Sequence, residues 1–156
     1  LEVYSVADNI ISSLGTTSSQ HYDALLNLKS GIQKINDKTL AAEPFFGAQI
    51  DSILLDDHFN RDEKFKHSRL EKMFIISISN ILETMPELDK DRLLLIISST
   101  KGNIDLLKPD SRTSEERFGL STMAKHVNDF FQFKHEPDVI STACISASSA
   151  IIPARH

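Results

Sequence analysis

At 156 residues, with 40% hydrophobic and 25% charged side chains, the chain has the composition of one ordinary soluble core, and a single domain over residues 1–156 is expected. A net charge of -5, with no zinc or RNA-binding pattern, excludes a general nucleic-acid binder, which needs a basic face for phosphates. Apolar runs such as RLLLII fall well short of the roughly 20 residues of a membrane-spanning helix, no signal-peptide pattern opens the chain, and a single cysteine leaves no internal disulfide; a cytoplasmic protein without a membrane span is expected.

In EVYSVA, residues 2–7, Val3, Tyr4 and Val6 carry the β-branched and aromatic bias of a strand, and SSLGTTSS after it is turn and cap chemistry. Tyr22, Leu25 and Leu26 then fall at helical spacing, so a helix is predicted from about Ser19, with KSG at residues 29–31 as its stop. EPFFGAQI, residues 43–50, reads as a short second strand, and LLDDHFNRDEKFK, residues 54–66, as a polar connector. In SRLEKMFIISISNILETM, residues 68–85, Leu70, Met73, Phe74, Ile78, Ile81 and Met85 lie three and four apart and mark a buried helix face, capped by Ser68 and ended by Pro86.

DRLLLIISS, residues 91–99, is a continuous apolar run bounded by polar residues, the pattern of a central strand covered on both faces. Leu120, Met123, Val127, Phe130 and Phe131 set a third helix; DVIST, residues 138–142, follows as a strand, and ISASSAII, residues 145–152, opens another helix. Strands alternating with helices predict an α/β domain with a largely parallel or mixed sheet.

The one cysteine, Cys144, sits where that last strand is expected to become a helix. Unpaired N–H groups and the positive end of the dipole favour an anion there, and the thiolate is the nucleophilic form of cysteine. Ala143, Ala147 and Ala150 are small enough for close packing of the segment. A buried, inert cysteine is the alternative reading of the same composition.

The string ISTACISASSAI resembles the nucleophile segment of β-ketoacyl-[acyl-carrier-protein] synthases of the thiolase superfamily, in which an Ala-Cys pair, often preceded by Thr, follows a strand and the Cys begins a buried helix. VADNIISSLG with HYDALLNLKSGI, SRLEKM, and DRLLLIISSTKGNI resemble the same family in the same order, so the resemblance covers nearly all the chain; Thr142, Ala143 and Cys144 are its most specific part. It implies the N-terminal half of a thiolase-like fold, a mixed sheet flanked by helices. It also implies an acyltransferase that performs a decarboxylating Claisen condensation in fatty-acid or polyketide-type synthesis, with no cofactor and no metal. Cys144 would carry the acyl group as a thioester and its backbone N–H would be one oxyanion donor.

In the family the decarboxylating histidines and the second oxyanion donor belong to the other half of the enzyme, and none of the six histidines here sits in a matching motif. Together with an opening at Leu1 without Met, this reads as the N-terminal part of a longer enzyme, incomplete for condensation alone. Three departures stand out: Ser146, Ala147 and Ser148 where many members place a Gly, Lys101 in SSTKGNI, and Pro153 in the last helix.

RDEKFKHSRLEK, residues 61–72, gathers five of the 17 Lys/Arg: Arg61, Lys64, Lys66, Arg69 and Lys72. Such a run suits an acidic partner. In the resembling synthases a basic patch near this helix start can receive the acyl carrier protein, so Lys66, Arg69 and Lys72 are candidate docking contacts; a solvated helix face carrying Glu63 and Glu71 is the alternative. Pairing into a dimer of identical or related subunits is implied as well.

STKGN lacks the ending of a phosphate loop, so Gly102 is assigned to a turn, and neither LDDHFNRDE nor KHEPD has the spacing of a metal motif. Two other functions stay open: a non-catalytic thiolase-fold subunit or interaction domain, and an α/β domain whose cysteine is structural.

Overall fold

The computed structural model describes residues 2, 4–60, 66–107 and 115–153. In chain order it contains α1 (Ser18–Leu26), β1 (Ile32–Ile35), β2 (Phe45–Ala48), α2 (Ser52–Asp56), α3 (Arg69–Thr84), β3 (Ile96–Ser98), α4 (Leu120–Phe131), β4 (Asp138–Ile140) and α5 (Ser146–Ile151). Helices and strands are mixed along the chain as an α/β domain, with β1–β2 and α2–α3 as consecutive like elements, and the described strands do not join into one mixed sheet. Among the described residues β1 pairs antiparallel with β2, Ile32 opposite Ala48, and β3 pairs parallel with β4, Ile96 opposite Asp138.

Helix α3 forms where the periodicity places it. The Ser68 hydroxyl accepts from the Glu71 N–H at 3.1 Å while the Glu71 carboxylate accepts from the Ser68 N–H at 2.8 Å, a reciprocal capping box that satisfies two otherwise unpaired donors. Its far end stops at Thr84, ahead of Pro86. The buried face is rotated from the expected one: Ile75 and Ile76 are buried, and Leu70, Met73, Phe74 and Ile78 are partly buried at its margins. Helix α4 supplies the centre of the core through Met123, Ala124 and Val127, all at 0% exposure, each worth on the order of 1–3 kcal/mol of transfer free energy for a larger side chain.

Four expectations need correction. Residues 2 and 4–10 contain no strand; Tyr4 and Val6 are exposed, and no described strand lies alongside to pair with them. DRLLLIISS is not a central strand covered on both faces: Asp89 caps a 3-10 turn at Lys90–Arg92, only Ile96–Ser98 is strand, and Leu93, Leu95 and Ile97 face the core while Leu94 is exposed. On α1, the buried residues are His21 and Ala24, whereas Tyr22, Leu25 and Leu26 face outward. The polar connector hides α2 and two core anchors, Leu55 and Phe59. Strand β1 was not signalled in the sequence, because Ile32 and Ile35 flank two polar residues and three of its four side chains are exposed.

The N-terminal segment is held to α3 by polar contacts instead of a ladder. Asn9 donates to the Thr16 carbonyl at 3.0 Å and to the Ser77 hydroxyl at 3.1 Å, and Asn80 donates to the same Thr16 carbonyl at 3.0 Å. Buried His21 is satisfied on both ring nitrogens, Nδ1 with the Thr17 carbonyl and Nε2 with the Ser12 hydroxyl.

Candidate functional site

Strand β4 leads into a tight turn before α5. Ala143 has φ 51°, a left-handed conformation that costs a residue with a Cβ roughly 1 kcal/mol. The Ser146 side chain holds the turn: its hydroxyl accepts from the Thr142 N–H at 2.8 Å and donates to the Ala143 carbonyl at 2.7 Å. Thr142 adds a hydroxyl–hydroxyl bond to Ser149 at 3.1 Å. Cys144 stands at the apex, within the 3-10 turn Ala143–Ile145, and is exposed.

This placement corrects the expectation in two ways. Cys144 precedes α5 by one short turn instead of opening a buried helix, and α5 itself runs only from Ser146 to Ile151. Ala143 and Ala147 are exposed, so their small size does not serve close packing; Ser146 is the buried residue of the segment. At this position the Ser146 hydroxyl supplies the bonds that close the turn. Pro153 lies beyond α5 and does not interrupt it.

The loop after β3 lies beside this turn, because β3 and β4 run parallel and the Ser99 N–H donates to the Ile140 carbonyl at 3.3 Å. Helix α5 packs on both strands. The carboxyl ends of parallel strands are where α/β proteins place their chemistry. Gly102 turns the loop with φ 56°, and its N–H donates to the Ser99 hydroxyl at 3.1 Å.

At the other end of that loop is a buried polar cluster that sequence reading missed. Glu71 has no exposure, and its Oε1 lies 2.8 Å from Asn103 Nδ2 and 3.0 Å from His126 Nδ1. Arg117 Nη2 is 3.5 Å from Glu71 Oε2 and donates to the Lys66 carbonyl at 3.1 Å. Asn103, also at 0% exposure, accepts from the Ser68 hydroxyl at 2.6 Å and donates to the Arg117 carbonyl at 3.0 Å. The only sequence signal was the Ser-x-x-Glu capping pattern at Ser68; the distant partners have none.

The basic run is divided by the fold. Arg61 and Lys64 lie outside the described residues. Lys66 is exposed. Arg69 donates to the Ser52 hydroxyl at 2.7 Å and to the Ile50 carbonyl, and Lys72, 9% exposed, pairs with Asp56 at 2.6 Å. Arg69 and Lys72 line a cleft of about 750 Å³ between β2, α2 and α3, so their charges serve contacts within the chain.

Among the described residues no group of three or more His, Cys, Asp or Glu is arranged to hold a metal ion, and no helix is long and apolar enough to cross a membrane. Compared with protein-family models the chain matches none, and no curated protein matches it.

Proposed function

We propose that the chain carries the nucleophile of a β-ketoacyl-[acyl-carrier-protein] synthase within the N-terminal half of a thiolase-like fold. The observation that carries the reading is the exposure of Cys144 at the apex of a strand–turn–helix elbow whose preceding residue, Ala143, has positive φ. Strained backbone concentrates at functional sites, and an inert cysteine is ordinarily buried. The quoted Thr-Ala-Cys segment supplies the reaction.

In that reaction the Cys144 thiolate attacks the carbonyl of an acyl-thioester and expels the carrier thiolate, which takes up the proton released by Cys144. A malonyl thioester then loses carbon dioxide, and the resulting carbanion attacks the acyl carbon and expels the Cys144 thiolate. The first transfer is what these residues account for; the groups that assist decarboxylation have no counterpart in this sequence. An acyl carrier protein would approach the start of α3 through Lys66, whose side chain is exposed, while Arg69 and Lys72 shape that surface from within. Association with an identical or related subunit belongs to the same reading, as does a cytoplasmic setting.

Intact-mass measurement of the folded chain with iodoacetamide or cerulenin at neutral pH tests the proposal. A single adduct, absent in Cys144→Ala and formed faster than on a short Cys peptide, is expected. Labelling no faster than the peptide overturns it.

A further inference from the structure

We propose that Glu71 and Asn103 are positioning residues for the cysteine turn, acting through the loop that follows β3. This rests on the nucleophile reading of Cys144 and extends it to a cluster that reading does not use. The carboxylate of Glu71 has no access to water, so it must be compensated by fixed donors. Those donors come from separate parts of the fold: Ser68 N–H at the start of α3, Asn103 Nδ2 after β3, Arg117 before α4 and His126 on α4.

Asn103 is the member that reaches toward the cysteine. Its side chain uses both amide atoms on the cluster, Oδ1 with the Ser68 hydroxyl and Nδ2 with Glu71 and the Arg117 carbonyl. Its backbone follows Gly102, whose N–H is bonded to the Ser99 hydroxyl, and the Ser99 N–H is bonded to Ile140, the last residue of β4. Two residues later Thr142 is clamped by Ser146, and Cys144 follows. The loop from Ser99 to Asn103 is therefore pinned at one end to the buried carboxylate and at the other to the strand that presents the thiol. Releasing the carboxylate end frees Gly102 and Ser99 to shift, and with them the end of β4.

The test compares iodoacetamide rates at Cys144 in the full chain for the native sequence, Glu71→Gln, Asn103→Ala and their double variant, with Val127→Ala as a control that weakens the core without removing a hydrogen bond of the loop. Amide NMR signals of Gly102 and Cys144 are recorded in each. Loss of rate on the order of tenfold in Asn103→Ala is expected, with displaced Gly102 and Cys144 signals, and the double variant no slower than the worse single. Val127→Ala should keep both rate and signals. Equal loss in Val127→Ala at matched stability, or native rates and signals in both Glu71→Gln and Asn103→Ala, overturns the positioning role. Failure of the underlying reading has a different signature, a native Cys144 that reacts no faster than a short peptide. If Asn103→Ala does not fold, Ser99→Ala, which removes the acceptor of the Lys101 and Gly102 N–H groups and leaves the Glu71 cluster intact, must reproduce the rate loss or the role is rejected.

Discussion

His126 Nδ1 lies 3.0 Å from Glu71 Oε1 although 55 residues separate them in the chain. A carboxylate only accepts, so Nδ1 carries the hydrogen, and His126 lines a cleft with Lys66, Arg117 and Phe130. Removing the carboxylate leaves the buried Ser68 N–H without its acceptor and Asn103 Nδ2 with only the Arg117 carbonyl, while Arg117 and His126 can turn to water through side-chain exposures of 31% and 30%. Glu71→Ala should therefore destabilise by roughly 3 kcal/mol, at the lower end of the range for breaking a buried pair. Urea unfolding measures it; a loss under about 0.5 kcal/mol contradicts the cluster.

Gly102 combines φ 56° with a site where a Cβ would approach Leu120 Cδ2 to 2.8 Å. The leucine tip can give, so backbone strain dominates. Gly102→Ala should cost about 1–2 kcal/mol, and Gly102→Val more. Thermal unfolding of both variants checks the order as well as the size.

At the cysteine turn the strain runs the other way. Ala143 already occupies left-handed space at φ 51°, so Ala143→Gly relieves it at the expense of a more flexible unfolded chain and should change stability by under about 1 kcal/mol in either direction. Ala143→Val should lose about 1–2 kcal/mol and slow alkylation of Cys144, because a β-branched residue resists that conformation. An Ala143→Val protein with native stability would show that the turn is not held as described.

Exposure of the thiol makes Cys144 dispensable for folding. Cys144→Ala should shift stability by no more than about 0.5 kcal/mol, as for a surface substitution, whereas Met123→Ala, at 0% exposure in α4, should cost about 2–5 kcal/mol. Paired denaturation curves decide between an exposed elbow and a core cysteine.

Asp37 accepts from the Thr39 hydroxyl at 2.7 Å and from the Thr39 N–H at 2.8 Å, and these bonds hold its carboxyl below the usual carboxylate range. A lowered folded-state value favours the folded chain above the ordinary carboxyl value of about 3.9, and that contribution disappears as pH falls through the folded value. Carboxyl carbon NMR should show Asp37 titrating below a model peptide, and Thr39→Ala should raise it.

Local chemistry was legible in the sequence. The 3.6-residue spacing marked α3 and α4, the Ser68 capping pattern marked the first residue of α3, Gly102 marked a turn, and the run before Cys144 marked the strand-to-helix transition. Each depends on residues within a turn or two of one another. The N-terminal segment had strand composition but no described strand lies beside it to pair with, and the LLLII run had too little cover to be buried on both faces.

By itself the sequence determined the order of elements around Cys144 and the small polar residues that close its turn. Only the tertiary structure decided that this thiol faces solvent, that Lys72 turns inward to Asp56, and that Glu71 becomes a buried hub. The reason is that burial is set by what packs against a residue. The groups that enclose Glu71 come from 32, 46 and 55 residues away, beyond the reach of any local pattern.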